Sequence, residues 1–174
     1  MDAIRYPIGE FQPITTGTPE QIKEWIQEIE ATPEHVRAAL AGLTEAQLDT
    51  PYRPEGWTIR QVVHHIADAN LHSFTRFKLA LTEHEPTIKP YYEDRWGELA
   101  DSKHAPIAPS LSLLEAVIAR WSLIFAAMAP QDFAKTFIHP VGGVTRLDQA
   151  LAMSAWHNRH HTAHITSLRD RMGW

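Results

Sequence analysis

Residues 57–84 read WTIRQVVHHIADANLHSFTRFKLALTEH. Thr58 and Gln61 stand at capping-box spacing, where each side chain accepts a hydrogen bond from the other residue's backbone N–H at a helix start. No glycine or proline follows until Pro86, so the stretch predicts one long helix over about residues 58–84. Val62, Ile66, Ala69 and Phe77 build one apolar face of it. His65 lies at the flank of that face, whereas His64 points nearly opposite.

Upstream, the first fifteen or so residues hold Pro7, Gly9 and Pro13 and read as an extended arm. A helix then opens in TGTPEQIKEWIQEIEA: Thr18 can cap it, Pro19 suits its first turn, and Ile22, Trp25, Ile26 and Ile29 repeat at helical spacing. Thr32-Pro33 is expected to restart or bend this helix, with Gly42 closing the second piece. TEAQLDTPYRPEGW reads as a short helical turn and a proline-punctuated loop.

Downstream, residues 85–111 contain Pro86, Pro90, Pro106 and Pro109. They predict a long connection with one short helix around 93–100, of the kind that is either functional or well packed. Ser112 and Glu115 predict the start of the next helix, with a stripe of Leu114, Val117, Ile118, Trp121, Phe125 and Met128 and an end at Pro130. FAKTFIHPVGGVTRL suggests a short extended piece, and a last helix is expected from about Thr145 to Met172. No internal repeat appears, and no alternating pattern able to build a sheet. The expected fold is all-α: a four-helix bundle, one domain over residues 1–174, with a long crossover connection between the second and third long helices.

The totals agree with one globular domain: 174 residues, 44% hydrophobic and 21% charged. A formal net charge of -5, with no basic run, argues against a nucleic-acid surface, which depends on positive charge meeting phosphate. The absence of cysteine excludes disulfides, thiolate metal sites and a cysteine nucleophile. No run of about 18 apolar residues predicts a membrane span, and MDAIRYPIGEF is too polar for a secretory signal, so the cytoplasm is the expected compartment.

AWHNRHHTAHI, residues 155–165, places four histidines within eight positions: His157, His160, His161 and His164. Residues four apart lie on one helix face, so two pairs could each grip one ion, His157 with His161 and His160 with His164. No glutamate follows the first histidine, so this is not the zinc-protease motif. On a helical wheel with His157 at zero, Leu147, Ala150, Leu151, Ile165 and Leu168 centre at roughly +60°. The first pair centres near about +20° and the second near about -40°, so the first faces the bundle more directly. A metal site commonly takes three protein ligands and an open position, and His65 is the natural third. His72, two turns along on the same side, would line the approach. Asp68 reads as a solvated residue and Asp148 as a capping residue, and Trp57 and Trp156 as packing residues.

GWTIRQVVHHIADANLHSFTRFKLALTE, SAWHNRHHTAHI, RYPIGEF, LDTPYRPEGW and DSKHAPIAPSLSLLEAVIARW together resemble the YfiT group of the DinB superfamily, in order and over almost the whole chain. The resemblance implies a four-helix bundle whose divalent ion is held by three histidines. Matched position by position, these are His65, His157 and His161, with His160 and His164 accompanying them in the pocket as candidate catalytic residues. It further implies a homodimeric, cytoplasmic, metal-dependent hydrolase. Some relatives in the superfamily instead transfer low-molecular-weight thiols, and a few isomerise substrates with a thiol cofactor.

Three neutral imidazoles add no negative charge, so a bound zinc would keep its full charge toward the open position. That lowers the pKa of a bound water to about 7 and favours hydrolysis of an amide, ester or related bond in a small-molecule substrate. The same charge would stabilise a thiolate, giving thiol transfer to an electrophile as the alternative. One ion per subunit is expected, zinc first, with nickel or manganese as alternatives. A non-catalytic metal or ligand binder is a third reading. Ferritin-like storage is disfavoured, because the inward Glu and Glu-x-x-His pairs of such bundles are absent. Neither ligand helix offers a carboxylate at an obvious site-facing position, so His160, His164 or a residue of the 85–111 loop would have to serve as general acid or base. Arg76 reads as a surface salt-bridge partner or as the binder of an anionic substrate or a thiol cosubstrate's carboxylate.

Overall fold

The computed structural model describes residues 3–174. Four long helices carry the architecture: α1 (Pro19–Leu40), α3 (Ile59–Thr82), α6 (Ala108–Ala127) and α7 (Leu147–Met172). Between them lie the short helices α2 (Glu45–Leu48), α4 (Glu93–Gly97) and α5 (Ala100–His104), a 3-10 turn at Pro130–Ala134, and a hairpin of β1 (Thr136–His139) and β2 (Gly143–Arg146). Thr18, Thr44 and Thr58 each close a capping box with a glutamine three residues on, so three starts are defined by local chemistry.

Side-chain contacts give the helix directions. Ser73 meets Ser154, Asn70 meets Asn158 and His65 meets His157, so α3 and α7 run antiparallel. Gly17 bonds Asp148, Glu28 pairs with Arg159, and Arg169 reaches the carbonyl of Ala39, so α1 and α7 run parallel. His64 meets Ser110, Phe74 meets Trp121 and Phe77 meets Phe125, so α3 and α6 are parallel too. Two consecutive long helices that run parallel cannot be joined by a tight turn. The connection must travel back along a 24-residue helix, about 36 Å. Residues 83–107 make this crossover.

The crossover is anchored at both ends. Ile88 donates to the Ile138 carbonyl at 3.0 Å and Ile138 donates back to Pro86 at 2.9 Å, which adds the start of the crossover to β1. At the other end, buried Arg60 bonds the Ala105 carbonyl at 3.0 Å and pairs with Asp49 and Glu45, while Gln61 bonds the Gly97 carbonyl at 2.7 Å. The apolar core centres on Trp121 and Phe77, both 0% exposed and edge-to-face. α6 is long and apolar enough to cross a membrane on those two measures alone. Here it contributes Leu114, Val117, Ile118, Trp121 and Phe125 to the core.

Several sequence expectations need correction. Pro33 does not divide the first helix: α1 is continuous, and Thr32 hydroxyl bonds the Glu28 carbonyl beside the proline. The crossover holds two short helices rather than one. α6 starts at Ala108, before Ser112, because Pro109 suits a first turn whose N–H groups have no partners. The extended piece is a two-stranded hairpin, with Gly143 at φ 76° where β2 leaves the turn.

A buried amide pair sits among α1, α3 and α7. Asn70 and Asn158 exchange side-chain hydrogen bonds at 2.8 and 3.1 Å, and Asn158 also donates to Thr32 at 3.1 Å. Asn158→Ala would leave the buried Asn70 Oδ1 without its donor, while Asn70 Nδ2 keeps Ile66 and the Thr32 hydroxyl keeps Glu28, a loss of about 1–3 kcal/mol. Urea unfolding at unchanged slope measures it. A loss under about 0.5 kcal/mol would mean the pair carries no stability.

Candidate metal centre

His65 projects from α3, and His157 and His161 stand one turn apart on α7. His65 Nε2 lies 3.1 Å from His157 Nε2, and one ring nitrogen of each of the three residues falls within 4.8 Å of the others. A tetrahedral zinc with bonds of about 2.0–2.1 Å would hold its ligand nitrogens about 3.3 Å apart, so the spacing fits one shared ion. The protonation states fit as well. Burial pushes the pKa of His65 down to about 4 and that of His157 to about 3, and holds His161 well below the usual histidine range, each helped by the other imidazoles. A neutral imidazole keeps the lone pair that a metal needs.

The tautomer of His161 follows from its neighbours. His164 Nε2 faces the Arg5 carbonyl at 3.0 Å, and a carbonyl only accepts, so that nitrogen carries the proton. Burial keeps His164 below the usual range and therefore neutral, which leaves its Nδ1 as an acceptor. His161 Nδ1 lies 3.3 Å away and must donate to it. The lone pair of His161 is thereby assigned to Nε2. A partner that fixes a ligand's tautomer in this way is a recurrent part of metal sites. Arg5 belongs to the N-terminal arm, which runs antiparallel along α7, with Tyr6 near His160 and Phe11 near Trp156. Tyr52 stacks on His164 at 3.9 Å between ring centroids.

The triad opens into a cavity of about 610 Å³. Trp57 forms one wall, its ring centroid 4.7 Å from that of His65. Gly97 lets the crossover pass close behind it, since a Cβ there would lie 2.8 Å from Trp57 Nε1. Tyr91 and His139 form further wall, Arg5, Arg53 and Arg76 supply positive charge, and Glu55, Glu93 and Asp94 stand at the exposed rim.

His160 and His164 both line this cavity. His160 stacks on Trp156 at 4.5 Å, and its Nδ1 is buried without a partner among the described residues. His64 does point away from the triad, yet it is buried, held by Ser110 at 2.7 Å. The crossover covers the helix face that a wheel shows as outward. His72 does not line the metal cavity; it stacks on Tyr91 at 4.1 Å and borders smaller neighbouring cavities. Asp68 is half-buried rather than solvated, and burial pushes its carboxyl up to about 6. Asp148 does accept a first-turn N–H of α7, that of Gln149 at 2.8 Å, and is in addition a buried ion-pair partner of Arg146 at 2.7 Å. Trp57 is more than packing, since it borders the cavity. Tyr52, Arg53, Tyr91 and His139 were not legible as site residues; they sit in loops and a hairpin with no periodic pattern to orient them.

The DinB superfamily model matches residues 28–165. Across its whole length the chain is 52% identical to proteins of Bacillus mycoides and Bacillus cereus, each covered over 100% of its own length and named "Putative metal-dependent hydrolase". It superposes on a structure titled "YfiT from Bacillus subtilis is a probable metal-dependent hydrolase with an unusual four-helix bundle topology" with a TM-score of 0.95, at 46% identity and 99% coverage of both chains. TT2238, titled a four-helix bundle protein, matches at a TM-score of 0.56 and 21% identity, covering 88% of this chain and 99% of its own, and supports the fold alone. The chain belongs to the YfiT group of the DinB superfamily.

Proposed function

We propose that this protein is a metal-dependent hydrolase of a small molecule, with one divalent ion, zinc first, held by His65, His157 and His161. The observation that carries the reading is the convergence of three neutral ring nitrogens from two helices on one wall of a large cavity. The names of full-length relatives at 52% identity support it. A divalent ion bound there would supply Lewis acidity and deliver water, or a thiol, in deprotonated form near neutral pH. His164 orients His161 and has both ring nitrogens engaged, so it is a positioning residue. Proton transfer then falls to His160, which lines the same cavity.

A second reading, transfer of a low-molecular-weight thiol to an electrophile, is favoured by one observation. The cavity's carboxylates, Glu55, Glu93 and Asp94, come from loops and the crossover's short helix at the exposed rim, and neither ligand helix brings one to the triad. Activity assays separate the readings. A hydrolase turns over esters or amides in water alone, whereas a transferase is silent until a thiol is supplied. Chelation should abolish either activity, and full activity after complete metal removal would make the ion structural. A homodimer is part of the proposal from family resemblance; light scattering at the mass of one chain would remove it.

His65→Ala, His157→Ala and His161→Ala should each strip most of the metal, while His64→Ala should retain it, as read by metal analysis of purified protein. Loss of metal in His160→Ala and His164→Ala, with retention in His157→Ala, would mean that the other pair holds the ion.

Acid should destabilise the metal-free protein. His65 and His157 stay neutral in the fold down to about 4 and about 3. In the unfolded chain they take up protons near about pH 6.5. Their contribution is therefore intact above about pH 6.5 and lost as pH falls toward about 4. Thermal melting of the chelated protein should show the midpoint falling through that window; an unchanged midpoint would contradict neutral, buried imidazoles.

A further inference from the structure

Arg76 lies eleven residues beyond His65 on α3, which is about three turns, or about 16 Å of rise, on nearly the same face. Helix side chains lean toward the N-terminus, so its guanidinium reaches back toward the triad, and it lines the same cavity. It is half-buried, and its Nε is fully buried with no acceptor among the described residues. No ion pair or hydrogen bond to it occurs among the described residues, whereas the other half-buried or buried guanidiniums have acceptors: Arg60 and Arg146 hold carboxylates, Arg169 the Ala39 carbonyl, and Arg53 the Tyr52 hydroxyl and the Pro54 carbonyl. Tyr91 lies near enough to interact with its charge, but burial raises the phenol's pKa and keeps it neutral, so it supplies no counter-charge. Arg76 also borders a second cavity of about 600 Å³ whose walls are largely apolar.

A half-buried, unpaired guanidinium is a poor structural element. Desolvation works against it, and no partner offsets that loss. The surface salt bridge expected of this residue is absent among the described residues, and the rim carboxylates of the cavity belong to exposed residues. The fork of an arginine matches carboxylate or phosphate oxygens bidentately.

We propose that Arg76 is the specificity-determining residue of this site: it binds an anionic oxyacid group, carboxylate or phosphate, on the substrate or cosubstrate whose reacting end lies at the histidine triad. The inference rests on the metal reading above. It defines the ligand as an anion whose charged group lies closer to the reacting end than the three helical turns between the two backbones, because the guanidinium leans back toward the triad. A neutral ester or amide without such a group leaves the guanidinium unanswered.

The test uses the metal-loaded protein and synthetic hydroxamates, in which the hydroxamate seeks the metal. Monohydroxamates of linear dicarboxylic acids, from succinate to sebacate, are compared by calorimetry with their neutral methyl esters and with ω-phosphono analogues. At the best chain length the anion should bind at least about tenfold more tightly than its ester, as expected of a charge-assisted pair. The carboxylate and phosphonate arms say which oxyacid fits. In Arg76→Met the preference should vanish while the ester binds as before, and Arg76→Lys should keep part of it. Removing the unpaired charge should also leave the melting temperature of Arg76→Met equal to or above that of the parent. Equal affinity of anion and ester at every length, or a clearly lowered melting temperature together with an unchanged preference, overturns the assignment to Arg76. Failure of the neutral hydroxamates themselves to bind the metal-loaded parent overturns the metal reading, and this inference with it.

Discussion

The site depends on the register between α3 and α7. Three imidazoles from two antiparallel helices meet only if those helices stop at one relative height, and apolar packing tolerates sliding. The Asn70–Asn158 amide pair does not. Its two hydrogen bonds are satisfied at one register, and a slip of one turn, about 5.4 Å, would break both and leave the two buried amide oxygens without donors. Asn158 follows His157 directly, and Asn70 lies little more than a turn beyond His65, so the clasp sits immediately beneath the triad. The third member, Thr32, extends the constraint to α1 at the position where Pro33 interrupts that helix's own bonding.

Topology supplies the walls. Because α3 and α6 run parallel, residues 83–107 must return along the bundle, and that obligatory path carries Tyr91, Glu93 and Asp94 past the open side of the triad. The same path brings Gly97 against Trp57 and Ala105 against His64. The N-terminal arm closes the opposite side, where a backbone carbonyl of Arg5 settles the tautomer of two histidines. Walls and ligands are thus consequences of one connectivity, rather than separate features.

Electrostatics within the cavity has a consistent direction. Burial strips the imidazoles of the triad of protons, and the rim carries the carboxylates. Arg76 is the exception, since its buried Nε has no acceptor among the described residues. Sites retain such costs where they serve binding or catalysis.

Local chemistry in the chain determined the long helices and the starts of α1 and α3. Thr18 and Thr58 announce themselves by glutamine three residues on, and the stripes through Ile22–Ile29 and Leu114–Phe125 have helical period. The triad was legible for the same reason: helical spacing says which histidines share a face, and His65, His157 and His161 converge in the structure. Periodicity is blind beyond a single element. It showed His64 as outward, but the crossover buries it; it showed Asp68 as solvated, but the fold half-buries it. The beginning of α6 was misplaced because Ser112 mimics a cap, whereas Pro109 marks the first turn. Tyr52, Trp57, Tyr91 and His139 reach the cavity through loops and a hairpin, whose directions come from contacts far along the chain. Helix identity and the face on which each histidine lies are short-range properties, set by backbone hydrogen bonding and side-chain period. The cavity, its charges and the unpaired state of Arg76 arise only where distant segments meet, and tertiary structure alone decided them.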